Sequence, residues 1–181
     1  CTHTFDDHSD AITSCAFHPD GRAIISASQD RTLKVWDVVA GKLLRTLEGH
    51  SDAVSSCAFS PDGQFIASAS YDQSLKVWEF RTGKLLQTFE GHSGWVNDCR
   101  FSPDGRLITS ASDDQTVKIW ESCVKKDLNM PEAHEDEVFD CAFSSSGEFV
   151  VSASWDKTVK IWDAMSGAVL QTLKGHSFWV E

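Results

Sequence analysis

Four of the seven tryptophans recur at one fixed interval of 42 residues: Trp36, Trp78, Trp120 and Trp162. Five histidines keep the same interval: His8, His50, His92, His134 and His176. An interval held this strictly means that one supersecondary unit is written several times. Units of this length cannot bury their apolar faces alone, so neighbouring units must stack on one another.

Each unit has the pattern of four short strands, because turn residues arrive about every 8 to 12 residues. In the second unit, the step from Val54 to Cys57 breaks strict alternation and predicts a β-bulge at the start of the first strand. Further strands are expected over 65–70, 74–78 and 84–89. The sequence therefore predicts an all-β chain of four-stranded antiparallel sheets and excludes a long helix.

Two dipeptides recur along the chain. Gly-His pairs end at His50, His92 and His176, and each of the four recurring tryptophans is followed by Asp or Glu. This pattern resembles the WD-repeat β-propeller family over essentially the whole chain. The resemblance implies that each unit is one propeller blade.

The resemblance also implies one hydrogen-bonded quartet of side chains in each blade. The four quartets are His8–Ser26–Asp30–Trp36, His50–Ser68–Asp72–Trp78, His92–Ser110–Asp114–Trp120 and His134–Ser152–Asp156–Trp162. The chemistry is complete, because Ser accepts from the indole and donates to imidazole, which donates to Asp. Four identical copies with a committed Ser, and no nucleophile-elbow pattern, favour a structural role over catalysis. We therefore expect no catalytic residues.

The proposed units run over 8–49, 50–91, 92–133 and 134–175. Residues 1–7 look like the last strand of a preceding unit, and 176–181 like the start of a fifth. Propellers typically close with about four to eight blades, so an open arc of four would expose apolar faces. Either further blades of one parent chain complete the ring, or two copies close it as a homodimer with eight blades. We expect the dimer if these residues act alone.

Charge and cysteine spacing exclude several classes of function. The net charge of −11 argues against nucleic acid or an anionic membrane as the main partner. Four cysteines keep the repeat interval without a Cys-x-x-Cys pair: Cys15, Cys57, Cys99 and Cys141. We expect them to be small buried groups in a reducing, cytoplasmic compartment, with no metal and no cofactor. Cys1 and Cys123 stand outside the register and have no assigned role.

Recognition should fall to residues that vary between blades. In the family, the third and fifth residues after the His and the residue before the turn Asp project from one rim. The first two blades place small or polar residues there, apart from one tyrosine: Ala11, Thr13, Gln29, Ala53, Ser55 and Tyr71. The later positions are richer in aromatic and acidic residues: Trp95, Asn97, Asp113, Glu137, Phe139, Trp155, Trp179 and Glu181.

Rigid aromatic rings beside a few charges are typical of protein interfaces. We therefore predict partner binding by an aromatic-acidic set of residues: Tyr71, Trp95, Asn97, Asp113, Glu137, Phe139, Trp155 and Trp179. The acidic members suggest a protein or peptide partner that carries Lys or Arg beside an apolar side chain. The opposing interpretation is that single rings merely pack on the neighbouring blade.

The leading hypothesis is a non-catalytic interaction module or scaffold. The sequence Cys-Ala-Phe-Ser-Pro-Asp-Gly at 57–63 resembles the sensor propellers of apoptosome-type signalling ATPases, which suggests a sensor part of a larger signalling protein. One alternative is a small-ligand or carbohydrate-binding propeller that stacks its ligand on the same rings. Another is a substrate receptor or a scaffold half that assembles with a second propeller half. Trp-Glu-Phe-Arg at 78–81 resembles a box with which some family members dock on a cullin-ligase adaptor.

Overall fold

The computed structural model describes residues 3–122, 127–129 and 134–180. Cys1, Cys123 and Glu181 lie outside these residues. The described chain forms sixteen strands: β1 (Ile12–Phe17), β2 (Ala23–Ser28), β3 (Thr32–Asp37), β4 (Lys42–Glu48), β5 (Val54–Phe59), β6 (Phe65–Ser70), β7 (Leu75–Glu79), β8 (Leu85–Phe89), β9 (Val96–Phe101), β10 (Leu107–Ser112), β11 (Val117–Glu121), β12 (Asp127–Asn129), β13 (Val138–Phe143), β14 (Phe149–Ser154), β15 (Thr158–Asp163) and β16 (Val169–Lys174).

The strands pair in chain order into four antiparallel four-stranded sheets, which we call blades 1 to 4. Blade 1 holds β1–β4, blade 2 holds β5–β8, blade 3 holds β9–β12 and blade 4 holds β13–β16. No helix occurs in the part of the chain that the structure describes. The predicted fold class, an all-β arc of propeller blades, is confirmed. The predicted bulge is also present, because the register of β5 against β6 shifts between Val54 and Ser56.

The apolar core lies between the blades. Leu33 and Leu47 of blade 1 pack with Val54 and Trp78 of blade 2 in one buried cluster. Two equivalent clusters join blade 2 to blade 3 and blade 3 to blade 4. Each junction therefore has its own core, as stacked repeats require.

The two end blades each leave one face uncovered in this structure. Ile12 is 53% exposed, whereas its register equivalents Val54, Val96 and Val138 are fully buried. At the other end Leu173 is 40% exposed, although Leu47 and Phe89 occupy the same register position at 3% and 5%. In keeping with this, residues of β14 alternate between exposed and buried, whereas nearly all of β6 is buried.

The uncovered face of blade 1 corrects one prediction. Cys57, Cys99 and Cys141 are buried free thiols, but Cys15 is exposed. Cys57 is covered by Ser14 and Ile25 of the preceding blade. No blade covers the equivalent side of β1 among the described residues, so the prediction that Cys15 is buried was wrong.

The sequence predicted that residues 1–7 are the last strand of a preceding unit, and the structure describes 3–7 of these. Residues 3–7 are not in a strand in this structure, and their place in a preceding unit stays a prediction. The ring of Phe5 nevertheless lies 4.9 Å from that of Trp36. Phe89 makes the equivalent contact with Trp120 at 5.3 Å. Phe5 thus occupies the place of an outer-strand residue without being in a strand.

Candidate interaction surface

Each blade contains one chain of side-chain hydrogen bonds that joins the four predicted quartet members. In blade 2, Trp78 Nε1 donates to Ser68 Oγ at 2.9 Å, and Ser68 Oγ lies 2.8 Å from His50 Nε2. His50 Nδ1 lies 2.8 Å from Asp72 Oδ2. Since the Ser hydroxyl accepts from the indole, it donates to Nε2 and leaves Nδ1–H to donate to Asp. The corresponding distances in blades 1, 3 and 4 are all 2.7–2.8 Å.

The quartet carboxylates are held in their charged form. Burial alone would raise the pKa of Asp72, but hydrogen bonds from His50 and Ser74 outweigh it and leave the pKa well below its usual range. The same balance lowers the pKa of Asp156 to about 2, with Thr158 as the leading donor. Burial is also the leading cause that lowers the pKa of His92 and of His134. Both effects favour a neutral imidazole beside a charged carboxylate.

The quartet carboxylate also shapes the turn that carries the rim residue. Asp72 Oδ1 accepts from Ser74 N at 3.0 Å and from Ser74 Oγ at 2.6 Å. Gln73 takes a φ of 69° to close this turn. Tyr71 therefore stands at a turn tip that His50 and Asp72 fix from inside the blade. The quartet that recurs in each blade thus positions the rim residue, which differs between blades.

Six of the predicted partner-binding residues lie in one continuous line along this edge, which we call the rim row: Tyr71, Trp95, Asp113, Glu137, Trp155 and Trp179. Within a blade, neighbours in the row share a backbone hydrogen bond, such as Asp113 N to Trp95 O and Trp155 N to Glu137 O, at 2.9 and 3.0 Å. Between blades, Tyr71 stacks on Trp95, and the charge of Asp113 acts on Glu137. The row thus crosses two blade junctions, from blade 2 to blade 4, and continues to Trp179 in the residues after blade 4.

Aromatic rings stack at both ends of the rim row. Tyr71 and Trp95 stack with centroids 4.5 Å apart, and Trp155 and Trp179 stack at 4.2 Å. Phe139 covers the other face of Trp155 at 4.6 Å. Trp155 is therefore enclosed in a three-ring stack, and its Nε1 is buried without a hydrogen-bond partner among the described residues. Trp95 and Trp179 remain 50% and 46% exposed. Some rings do pack across junctions, and Trp95 and Trp179 offer the exposed aromatic surface.

The junction between these two stacks carries two acids instead. Asp113 and Glu137 occupy the register positions that Tyr71 and Trp95 fill one junction earlier. Burial, followed by the charges of Asp113 and Asp136, raises the pKa of Glu137. The rim row thus presents a like-charged pair flanked on both sides by aromatic rings.

In blades 1 to 3, the residue at the fifth position after the His bonds to a backbone carbonyl of the next blade. Thr13 Oγ1 donates to Val54 O at 2.6 Å, and Asn97 Nδ2 donates to Val138 O at 2.9 Å. Ser55 makes the equivalent bond in blade 2. Asn97 Nδ2 also donates to Asp113 Oδ1 at 2.7 Å, so its amide group is committed within the protein. Among the first-blade positions, Ala11 and Gln29 are exposed.

The geometry of the quartets does not support the alternative that their Ser, His and Asp residues are catalytic. In every quartet the Ser Oγ already accepts from an indole and contacts an imidazole, so no free nucleophile stands beside the base. Within the described residues, no group of three or more His, Cys, Asp or Glu side chains is placed to hold a metal ion. In the docking box at 78–81, Trp78 is buried in its quartet and Arg81 is exposed.

Sequence reasoning missed two features where one unit departs from the others. Asp98 and Arg100 replace the Ser and Ala that blade 2 has at the same positions, and their side chains form an ion pair of 2.6 Å. His18 replaces a Ser, and it is not an isolated surface residue. Its Nε2 lies 3.1 Å from Gly63 O, and its ring lies 4.6 Å from that of Phe80. Both differences can be found by aligning the four units and looking for residues that differ from their equivalents.

Four stacked antiparallel blades with indole–hydroxyl–imidazole–carboxylate quartets define a WD-repeat β-propeller protein. The family described as WD domain, G-beta repeat, matches the chain over 1–37, 41–79, 83–121 and 125–163. These stretches cover well over half of the chain, and the chain belongs to this family. Each internal stretch begins at the outer strand of one blade and ends in the third strand of the next, so a repeat ties two blades together.

Two relatives each match about one repeat of this chain. The nuclear distribution protein nudF of Aspergillus terreus is 56% identical over 45 residues, which is 25% of this chain and 10% of the relative. The mitochondrial division protein 1 of Vanderwaltozyma polyspora is 49% identical over 47 residues, which is 26% of this chain and 6% of the relative. The matched share of these relatives is thus far below two thirds of their length. Among the described residues no helix has the length and apolar character that crossing a membrane requires.

Proposed function

We propose that this chain is a non-catalytic protein-interaction module that binds a protein or peptide segment along the rim row. The single observation that supports this most strongly is the order of the row: exposed ring, acidic pair, exposed ring. Family membership and similarity to a nuclear distribution protein and a mitochondrial division protein are in keeping with a scaffold role. A place in a larger signalling protein is part of the proposal and rests on the resemblance at 57–63.

The partner should carry a basic side chain between apolar ones. A Lys or Arg over Asp113 and Glu137 would relieve the repulsion between these two acids, and apolar groups would cover Trp95 and Trp179. Aromatic residues at the centre of an interface commonly contribute about 2 kcal/mol or more each. The charged contact should mainly set specificity and association rate. Buried, unpaired thiols at Cys57, Cys99 and Cys141 support a reducing compartment, and we place the protein in the cytoplasm.

Selection of a random peptide library displayed on phage tests this proposal. Peptides selected on the parent protein should bind Trp95→Ala about 30-fold more weakly, which corresponds to about 2 kcal/mol. The double variant Asp113→Asn with Glu137→Gln should weaken basic peptides selectively and reduce the salt dependence of binding. Gln29→Ala, at the equivalent rim position of blade 1, is the matched control and should bind normally. Selected peptides that ignore Trp95 and Trp179 would refute the proposed surface.

A carbohydrate-binding role is the second candidate, because the exposed faces of Trp95 and Trp179 also suit a sugar ring. Saturable binding to a glycan panel, lost in Trp179→Ala, would favour it over peptide recognition. No saturable glycan binding together with Trp95-dependent peptides would decide for the first candidate.

The uncovered end faces support assembly with a further propeller half. Ile12 on blade 1 is exposed at a position that is buried at all three described junctions, and Leu173 on blade 4 is exposed at a position that is buried in blades 1 and 2. A blade from a second copy, or from a longer parent chain, would cover them. We expect light scattering on these 181 residues to give a dimer. A monodisperse monomer would contradict the homodimer.

A further inference from the structure

The inner strands carry a row of polar residues that neither the quartets nor the rim row uses. Its members hold the same register position in β1, β5, β9 and β13: Ser14, Ser56, Asp98 and Asp140. The first three contact the next blade. Cys57 Sγ lies 3.8 Å from Ser14 Oγ, and Ser56 Oγ donates to Asp98 Oδ1 at 2.6 Å. This position changes from hydroxyl to carboxyl between blades 2 and 3.

Asp98 is a buried carboxyl group at the centre of this row. It is 5% exposed, and its Oδ1 accepts from Arg100 Nη1 at 2.6 Å as well as from Ser56. Its Oδ2 faces Cys141 of blade 4, whose backbone N lies 3.4 Å away. Arg100 also donates to Ser56 Oγ at 3.2 Å, and its Nη2 lies 3.9 Å from Asp140 Oδ1. Asp98 therefore contacts three blades at once.

The charges in this cluster do not balance. Asp98 and Asp140 supply two carboxyl groups, whereas Arg100 supplies the single guanidinium. The other titratable neighbours are the thiols of β5, β9 and β13, which stay neutral because burial raises the pKa of Cys57 to about 12 and those of Cys99 and Cys141 well above their usual value. Ionisation of the buried Asp98 beside a second carboxyl group therefore carries a free-energy cost, against which Arg100 supplies one positive charge.

We propose that Asp98, buried beside Asp140, retains its proton in the folded protein near neutral pH, and that losing this proton weakens the junction between blades 3 and 4. Asn97 and Asp98 both bond across this junction, to Val138 O and Cys141 N. Asp113 and Glu137 of the rim row lie on the same junction. Asp98 therefore lies at the same blade junction as the proposed acidic part of the rim, although the proposal does not depend on the proposed function.

The direction of the effect follows from the environment of Asp98. Burial raises the pKa of Asp98 most strongly. The positive charge of Arg100 opposes this shift and the nearby Asp140 adds to it, so that the pKa of Asp98 is raised to about 7. In the unfolded chain the same group loses its proton near pH 3.9. The folded state therefore holds an extra proton between about pH 4 and pH 7, and stability falls as pH rises through this range.

Titration of ¹³C-labelled Asp carboxyl groups by NMR tests the proposal directly. We expect one carboxyl resonance of the parent protein to titrate with a midpoint between about pH 6 and pH 8. That resonance should be absent from Asp98→Asn, and its midpoint should fall in Asp140→Asn. Asp62→Asn, an exposed turn residue, should leave it unchanged. Titration of every Asp carboxyl below about pH 5 in the parent protein would overturn the proposal.

Thermal unfolding gives a second, independent measurement. Between pH 5.5 and pH 8 the melting temperature of the parent protein should fall by about 4–8 °C relative to that of Asp98→Asn. His92 and His134 shift stability in the opposite direction over this range, but they are present in both proteins and cancel in the difference. Equal pH dependence of the two proteins would contradict the proposal.

Discussion

Replacing Asp72 by alanine isolates the stabilising role of one quartet. Asp72 accepts four hydrogen bonds, from His50 Nδ1 at 2.8 Å, Ser51 N and Ser74 N at 3.0 Å each, and Ser74 Oγ at 2.6 Å. His50 is 7% exposed, so water cannot replace the acceptor of its Nδ1–H. A stranded buried donor costs about 1–3 kcal/mol. The three turn bonds lie nearer to solvent and add about 1 kcal/mol together.

We therefore expect Asp72→Ala to lower the free energy of unfolding by about 2–4 kcal/mol. Denaturant unfolding followed by tryptophan fluorescence measures this loss, since Trp78 belongs to the same quartet. Asp62→Ala is the matched control, because Asp62 also caps a turn of blade 2 but stands at an exposed site, where it accepts from Ser60 Oγ and Gln64 N. The control should cost about 1 kcal/mol or less. Equal unfolding midpoints for Asp72→Ala and the parent protein would refute the reasoning.

Two further predictions concern thiols and acid. Cys15 should react rapidly with an alkylating reagent, whereas Cys57, Cys99 and Cys141 should react only on unfolding; peptide mapping by mass spectrometry checks this, and rapid modification of Cys99 would contradict the junction cores. In the folded state the pKa values of all four quartet carboxylates lie below the usual value, and the pKa of Asp156 is about 2. Their stabilisation should be complete above about pH 4 and be lost as pH falls towards 2; unchanged melting temperatures across this range would argue against charged quartets.

The fold was predictable because one repeat interval applies to every unit of the chain. One unit read for its turns gives four strands, and the interval copies that result along the chain. The strand expected over 65–70 is β6 as observed. The quartet geometry followed from residue chemistry, because an indole, a hydroxyl, an imidazole and a carboxylate have complementary donors and acceptors.

The contacts between blades were harder to predict, because they join residues about 24 or about 42 positions apart whose partners depend on how the sheets stack. Trp155 looks like a free ring in the sequence, yet Phe139 and Trp179 cover both of its faces. Asn97 looks like a recognition residue, yet its amide joins blade 3 to blade 4. Exposure of Cys15 depends on whether another blade covers β1, which alternation within β1 does not reveal.

The residues that depart from the repeat pattern are the ones that distinguish one blade from another. Asp98 and Arg100 interrupt a Ser and Ala pattern, and Asp113 and Glu137 interrupt a sequence of rings. Both departures fall on the junction between blades 3 and 4. The junction between blades 3 and 4 is therefore the site of both proposals, the proton retained on Asp98 and the basic partner side chain over Asp113 and Glu137.

The central claim is that recurring residues hold the blades together while varying residues on the rim recognise a partner. An alanine scan read out in parallel for protease resistance and for binding of a phage-selected peptide tests it most directly. Alanine at His50, Ser68 or Trp78 should reduce protease resistance, whereas Trp95→Ala and Trp179→Ala should lose peptide binding at parental resistance. Quartet variants that remain stable but lose binding, with rim variants that bind normally, would contradict it.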